Sequence, residues 1–111
     1  MSLFGGLRPW IWQRLSALYM LFFAVGAGVG LVAAGPMDYT AWRALLATPW
    51  VSIAVALLFV AVFLHAWIGL RDIVLDYIHP PVLRALVLGF GLLALLVMAL
   101  RVALALLALH T

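Results

Sequence analysis

Apolar residues run almost unbroken through three stretches of this chain, and its charges fall mostly between them. Leu15 to Ala34 carries no formal charge, with Trp10, Trp12 and Arg14 before it and Gly35-Pro36 after it. A second run, Trp50 to Leu70, follows Thr48-Pro49 and contains one ionisable residue, His65. The third, Val82 to Leu109, follows His79-Pro80-Pro81 and contains one charge, Arg101. A bilayer core about 30 Å thick is crossed by about 20 helical residues. Each run therefore predicts a transmembrane helix, over 15–34, 50–70 and 82–109. The connections are short and leave no room for an extramembrane domain, so residues 1–111 read as one all-α membrane domain.

Composition removes the soluble alternative. The chain is 70% hydrophobic and only 8% charged, with a mean hydropathy of +1.35. Soluble proteins carry roughly a quarter charged residues, so this chain cannot cover a water-facing surface. Its net charge of +3 comes from six Arg and three Asp, without Lys or Glu. These charges cluster near the ends of the apolar runs, which argues against nucleic-acid binding. With no Cys, disulfides, thiolate metal sites and iron–sulfur ligation within the chain are excluded.

A cleaved signal peptide is disfavoured for the first run, because its apolar core exceeds the usual 7–15 residues. No organellar targeting segment is evident either: Met1 to Pro9 is short and holds one arginine. Orientation follows the distribution of arginine. Arg8, Arg14, Arg71 and Arg84 fall on one side, Arg43 and Arg101 on the other. Four against two places the N-terminus in the cytoplasm.

Arg101 interrupts the third run. Counted from Val82, it lies about 28 Å along the helix, which predicts an interfacial anchor whose head group snorkels into water. The first run holds Gly26, Gly28 and Gly30, including a G-x-x-x-G pair. Close helix packing is the expected use; room for a flat cofactor is the alternative.

His65 is the candidate for chemistry. An ionisable residue inside a span is costly and marks a functional site by default, and imidazole suits an axial bond to haem iron. A hydrogen-bonded packing histidine is the bland alternative. At 100° per residue, Leu58, Ala61, Gly69, Asp72 and Asp76 lie within about 40° of His65 on one helix face. Ala61 and Gly69 would leave space for a ring system there. His79 falls in a connection and His110 at the opposite end, so a second histidine ligand would have to come from another chain. Tyr77 carries a hydroxyl that can donate and accept, and Asp76 beside it can relay protons from water. Read alone, that pair is better explained as an interfacial cluster ending a helix, a common feature.

The stretch His65-Ala66-Trp67-Ile68-Gly69-Leu70-Arg71-Asp72-Ile73-Val74-Leu75-Asp76-Tyr77 resembles the H-x-W-x-G-x(6)-D-Y signature of D-type hydrophobic membrane anchors of succinate dehydrogenase, respiratory complex II. Gln13-Arg14-Leu15-Ser16-Ala17-Leu18 is similar to the family's R-x-[ST]-A segment. The resemblance implies three spans in a helix bundle shared with a C-type, cytochrome b556-like anchor. It implies that the two anchors hold b-type haem, with His65 as one axial ligand. It also implies a ubiquinone site using Tyr77 with Asp76 beside it, and Arg14 near the haem propionates or that pocket. FAD and iron–sulfur clusters would belong to a flavoprotein and an iron–sulfur subunit. The expected setting is the bacterial inner membrane, where the complex links the tricarboxylic acid cycle to respiratory electron transport. Arg71 and Asp72 receive no role beyond helix-end charges.

Two other readings remain. An anchor of a quinol:fumarate reductase uses related architecture in the reverse direction. A small proton-coupled transporter would need a carboxylate within a span, whereas Asp38, Asp72 and Asp76 all fall in connections or at helix ends.

Overall fold

The computed structural model describes residues 7–111 of the chain. Among the described residues the structure is helical throughout, in the order α1 Leu7–Ala34, α2 Tyr39–Ala47, α3 Pro49–Tyr77 and α4 Pro81–Ala108. α1, α3 and α4 are long and apolar enough to cross a membrane. α3 is central, and the other three helices pack against it. The predicted three-span, all-α architecture is what the structure shows.

Each boundary has a local cause. α1 ends at Gly35, whose φ of +77° lies in the left-handed region, and whose N–H closes onto the Leu31 carbonyl at 3.2 Å. Such a cap suits glycine because it has no Cβ. α2 begins where the Asp38 side chain accepts a hydrogen bond from the Ala41 N–H at 2.8 Å, a standard N-cap. Pro49 occupies the first turn of α3, where its missing N–H costs nothing. α3 stops at Tyr77 because Pro80 and Pro81 cannot continue it.

Two elements extend the sequence reading. α2 occupies the first connection, for which the sequence reading gave no element. α3 continues past the apolar run that ends at Leu70, in line with the helix face drawn from Leu58 to Asp76, so Arg71, Asp72, Asp76 and Tyr77 lie on its last two turns. Its 29 residues span about 43 Å at 1.5 Å each. That exceeds the hydrocarbon thickness, and the charges that begin at Arg71 suit the last turns to lie outside an apolar slab.

Three contacts fix how α4 lies against α3. At the corner between α3 and α4, the Arg84 guanidinium donates to the carbonyls of Leu75, at 3.0 Å, and Ile78. Gly91 lies against Leu70, so close that a Cβ there would overlap the Leu70 methyl. At the far end, Ser52 Oγ and His110 Nε2 are 2.9 Å apart. The first turns of α4 thus run beside the part of α3 that lies outside the slab. Counting Arg101 from Val82 therefore overstated its depth toward the far face. Ten residues separate it from Gly91 and nine from His110, so it sits midway.

Little of the chain is buried within itself. Ser16, Val51, Ala61, Ile68 and Val74 are buried, whereas large apolar residues such as Phe22, Ile53, Phe90 and Leu100 are exposed. Those faces suit lipid or another apolar helix. Gly91→Leu is expected to destabilise the α3–α4 packing by about 1–3 kcal/mol, the usual cost of overpacking. A lowered Tm of the detergent-solubilised protein would show it; an unchanged Tm would mean that Leu70 simply swings aside.

Candidate functional site

The polar residues of α1 meet α3 along one seam. Gln13, Ser16 and Tyr19 recur every three positions on α1, which keeps them within one face of a helix. The Gln13 amide lies 3.6 Å from where a Gly69 Cβ would be. Ser16 Oγ lies 3.3 Å from His65 Nδ1. The Tyr19 hydroxyl donates to the Ala54 carbonyl at 2.7 Å. Apolar helices gain little from hydrophobic association inside lipid, so such hydrogen bonds and close packing set their register.

The hydrogen bonds of Ser16 bear on how the His65 ring is oriented. Ser16 is only 5% exposed, and its hydroxyl has a single proton. That proton points at the Gln13 carbonyl, 2.9 Å away, which can only accept. With its proton so engaged, Ser16 Oγ is placed to accept from the Nδ1–H tautomer of His65. Nε2 is then the nitrogen with the free lone pair. Among the described residues Ser16 is the one hydrogen-bond partner of His65.

That arrangement fits one kind of metal bonding. Among the described residues no group of three His, Cys, Asp or Glu comes together, so an all-protein metal cage is not formed. A macrocycle that brings its own four nitrogens needs just one or two axial donors. A neutral imidazole, oriented through Nδ1–H and free at Nε2, is the form such iron accepts. The residues present fit a haem, with His65 able to fill one axial position.

The other candidate residues are not drawn to His65. Asp76 and Tyr77 lie on the last turn of α3, about 17 and 18 Å along the axis from it, and Tyr77 is 78% exposed. Arg84 holds that helix end by capping its open carbonyls, where a cation also complements the helix dipole. Arg71 and Asp72 form an exposed pair at 3.5 Å, as expected of solvated charges. Arg14 is exposed, with its guanidinium carbon 5.2 Å from the Trp10 ring centroid. Two positions before Ser16, it points roughly 200° away around the helix, off the α3 side. Gly69 does not open free space beside His65, because the Gln13 amide occupies that side.

A cavity of about 590 Å³ lies toward the other end of the helices, between α1, α2 and α3. Gly26, Gly30, Trp42 and Trp50 line it without any titratable side chain. Among the described residues nothing approaches within 4 Å of a Cβ at Gly26, Gly28 or Gly30, so these glycines serve no close packing among them.

Comparison with known proteins meets this geometry. Residues 6–108 match the family model described as succinate dehydrogenase/fumarate reductase transmembrane subunit. The chain is also similar to a succinate dehydrogenase hydrophobic membrane anchor subunit from Coxiella burnetii. The two are 34% identical over 79 residues, which cover 71% of this chain and 69% of that protein. The chain belongs to the succinate dehydrogenase/fumarate reductase transmembrane subunit family, as a multi-pass anchor that works within an enzyme complex and not as an enzyme by itself.

Proposed function

We propose that this anchor helps carry electrons from succinate to ubiquinone by supplying one axial ligand, His65, to a b-type haem. The observation that carries the reading is the Ser16–His65 contact at 3.3 Å. It orients an intramembrane imidazole with Nε2 free. The second ligand comes from a C-type anchor subunit, since His79 and His110 lie at the two ends of the bundle. The haem, when bound, supplies one-electron redox chemistry, which belongs to the cofactor. This chain's residues hold and orient it, and the apolar flank of the helices keeps water away.

Asp76 and Tyr77 form this chain's share of the quinone site. Tyr77 is exposed on the turns of α3 just beyond the apolar run, where a quinone head group at the membrane surface can reach its hydroxyl. It can hydrogen-bond a quinone carbonyl, while the Asp76 carboxylate passes protons from the aqueous side. Arg14 lies at the same end of the bundle and can meet a propionate or the quinone pocket contributed through the partner chain. FAD and the iron–sulfur clusters reside in the flavoprotein and iron–sulfur subunits, bound on the cytoplasmic face of a bacterial inner membrane. The Asp76-Tyr77 pair favours succinate oxidation over fumarate reduction as the working direction.

The deciding experiment is a dithionite-reduced minus oxidised absorption spectrum of the complex purified gently from its native membrane. A b-type signal is the expected result, and its absence from an intact complex would remove the haem assignment.

The positioning role of Ser16 gives a finer prediction. Ser16→Thr and Ser16→Val have the same shape and differ in the hydroxyl. The valine variant is expected to lose haem about 10–100 times faster to an apoprotein acceptor, the usual scale for a lost ligand partner. The threonine variant should behave as wild type. Equal loss rates would show that the hydroxyl does not orient His65.

A further inference from the structure

Arg101 lies midway along the part of α4 that runs beside the apolar run of α3, and its surroundings within this chain do not account for a charge there. On α3, the run from Trp50 to Leu70 spans about 30 Å, the thickness of a hydrocarbon core. On α1, no formal charge occurs between Arg14 and Asp38. Through Ser16 and His65, α1 is in register with α3, so both helices mark the same slab. Gly91 packs on Leu70 at one boundary, and His110 meets Ser52 near the other. Arg101 is then about 15 Å from the first and about 14 Å from the second at 1.5 Å per residue. An extended arginine reaches about half that far, so it cannot snorkel to water. Its Cα–Cβ bond also tilts toward the start of α4, the longer way out.

No counter-charge is available inside the chain. It has three acidic residues, Asp38, Asp72 and Asp76, and no Glu. Asp38 caps α2 and the other two lie on the last turns of α3, outside the apolar runs. Arg101 is exposed on α4, and the one salt bridge among the described residues is Arg71–Asp72. Intramembrane arginines face a protein partner or a watered cavity and not lipid, because a bare charge there is costly.

We infer that the Arg101 face of α4 is an interface within the complex, and that Arg101 pairs there with a carboxylate side chain of a second membrane-embedded chain. Family membership places the chain in a complex, and charge complementarity sets the chemistry of the contact. The flanking Val97, Met98, Leu100 and Leu104 are exposed apolar residues that supply the dry surround in which such a pair is strong. The inference does not depend on the haem reading: His65 lies on the α1 side of α3, away from α4.

Removal of the charge separates the two possible environments by sign. At a lipid-facing position, Arg101→Leu relieves a cost, and assembly stays the same or improves. At a paired position it strands a buried carboxylate, which is strongly destabilising. The complex, tagged on a soluble subunit and extracted from native membranes, would be compared for wild type, Arg101→Leu and Arg101→Lys. The leucine variant should insert normally, and quantitation of the chain in unextracted membranes checks this. It is expected to lower the co-purified anchor pair by about tenfold or more, with lysine intermediate. Undiminished recovery of the pair in the leucine variant would overturn the proposal.

A second measurement identifies the partner group. The chain has no lysine, so Arg101→Lys introduces its one side-chain amine. A hydrophobic carbodiimide would then activate a facing carboxylate and join it to that amine as an amide, releasing the corresponding urea. A covalent product with another membrane subunit is expected in the lysine variant and not in wild type. Its absence from an assembled lysine complex would refute the carboxylate.

Discussion

His65→Ala is expected to abolish the b-type haem spectrum of the assembled complex. The imidazole is an intramembrane donor oriented by one defined contact, from Ser16 at 3.3 Å, and no other histidine of the chain can take its place. His79 sits beyond α3 and His110 is engaged with Ser52 at the opposite end. An alanine leaves the iron one axial bond short and a hole where the ring stood. The measurement is the reduced-minus-oxidised spectrum normalised to flavin content, so that loss of haem is separated from loss of the complex. His65→Ala with flavin and subunits retained but haem gone supports the ligand. An unchanged haem band would remove His65 from the coordination sphere and return it to the part of a packing histidine.

Tyr77→Phe is expected to lower succinate:quinone reductase activity by about tenfold to a hundredfold, the range of one hydrogen bond of about 1–3 kcal/mol. The side chain is 78% exposed and makes no hydrogen bond with other described residues, so phenylalanine removes an oxygen without disturbing the fold. Succinate oxidation by a soluble dye that takes electrons before the membrane should be unchanged. The two assays together isolate the quinone step. If quinone reduction proceeds at the wild-type rate, the phenol does not touch the quinone and serves as an interfacial aromatic only.

Much of the fold was legible because a bilayer imposes long apolar runs and penalises interruptions. The three spans and the prominence of His65 came directly from that. α2 was missed because nine residues between Asp38 and Thr48 are too few to stand out from a connection, although Asp38 is a good N-cap. Hydropathy alone ends the second run at Leu70 because it reports the slab, whereas the helix face shared by His65, Asp72 and Asp76 carried α3 further. Arg101 was misplaced because the count began at Val82, outside the slab.

The candidate site was only half visible. His65, Asp76 and Tyr77 stand out in sequence, but the partner of His65 does not. Ser16 is 49 positions away, and nothing local says which face of α1 meets α3. A signal was present in the spacing of Gln13, Ser16 and Tyr19, three polar side chains on one side of an otherwise apolar helix. Arg14 stands out more strongly as a charge, yet the fold turns it toward Trp10 and away from this seam.

The corner between α3 and α4 has a further consequence for genetics. Just Ile78, His79 and Pro80 join the two helices, and Arg84 on α4 is clamped to the carbonyls of Leu75 and Ile78 that flank Tyr77. A displacement of α4 is therefore passed through a short stiff link to the phenol. In a random mutagenesis screen for weakened inhibitor binding or poor growth on succinate, hits should map onto α4 at positions such as Arg84 and Gly91. Such alleles would look like binding-pocket mutations on a sequence map while acting as a change of lever angle.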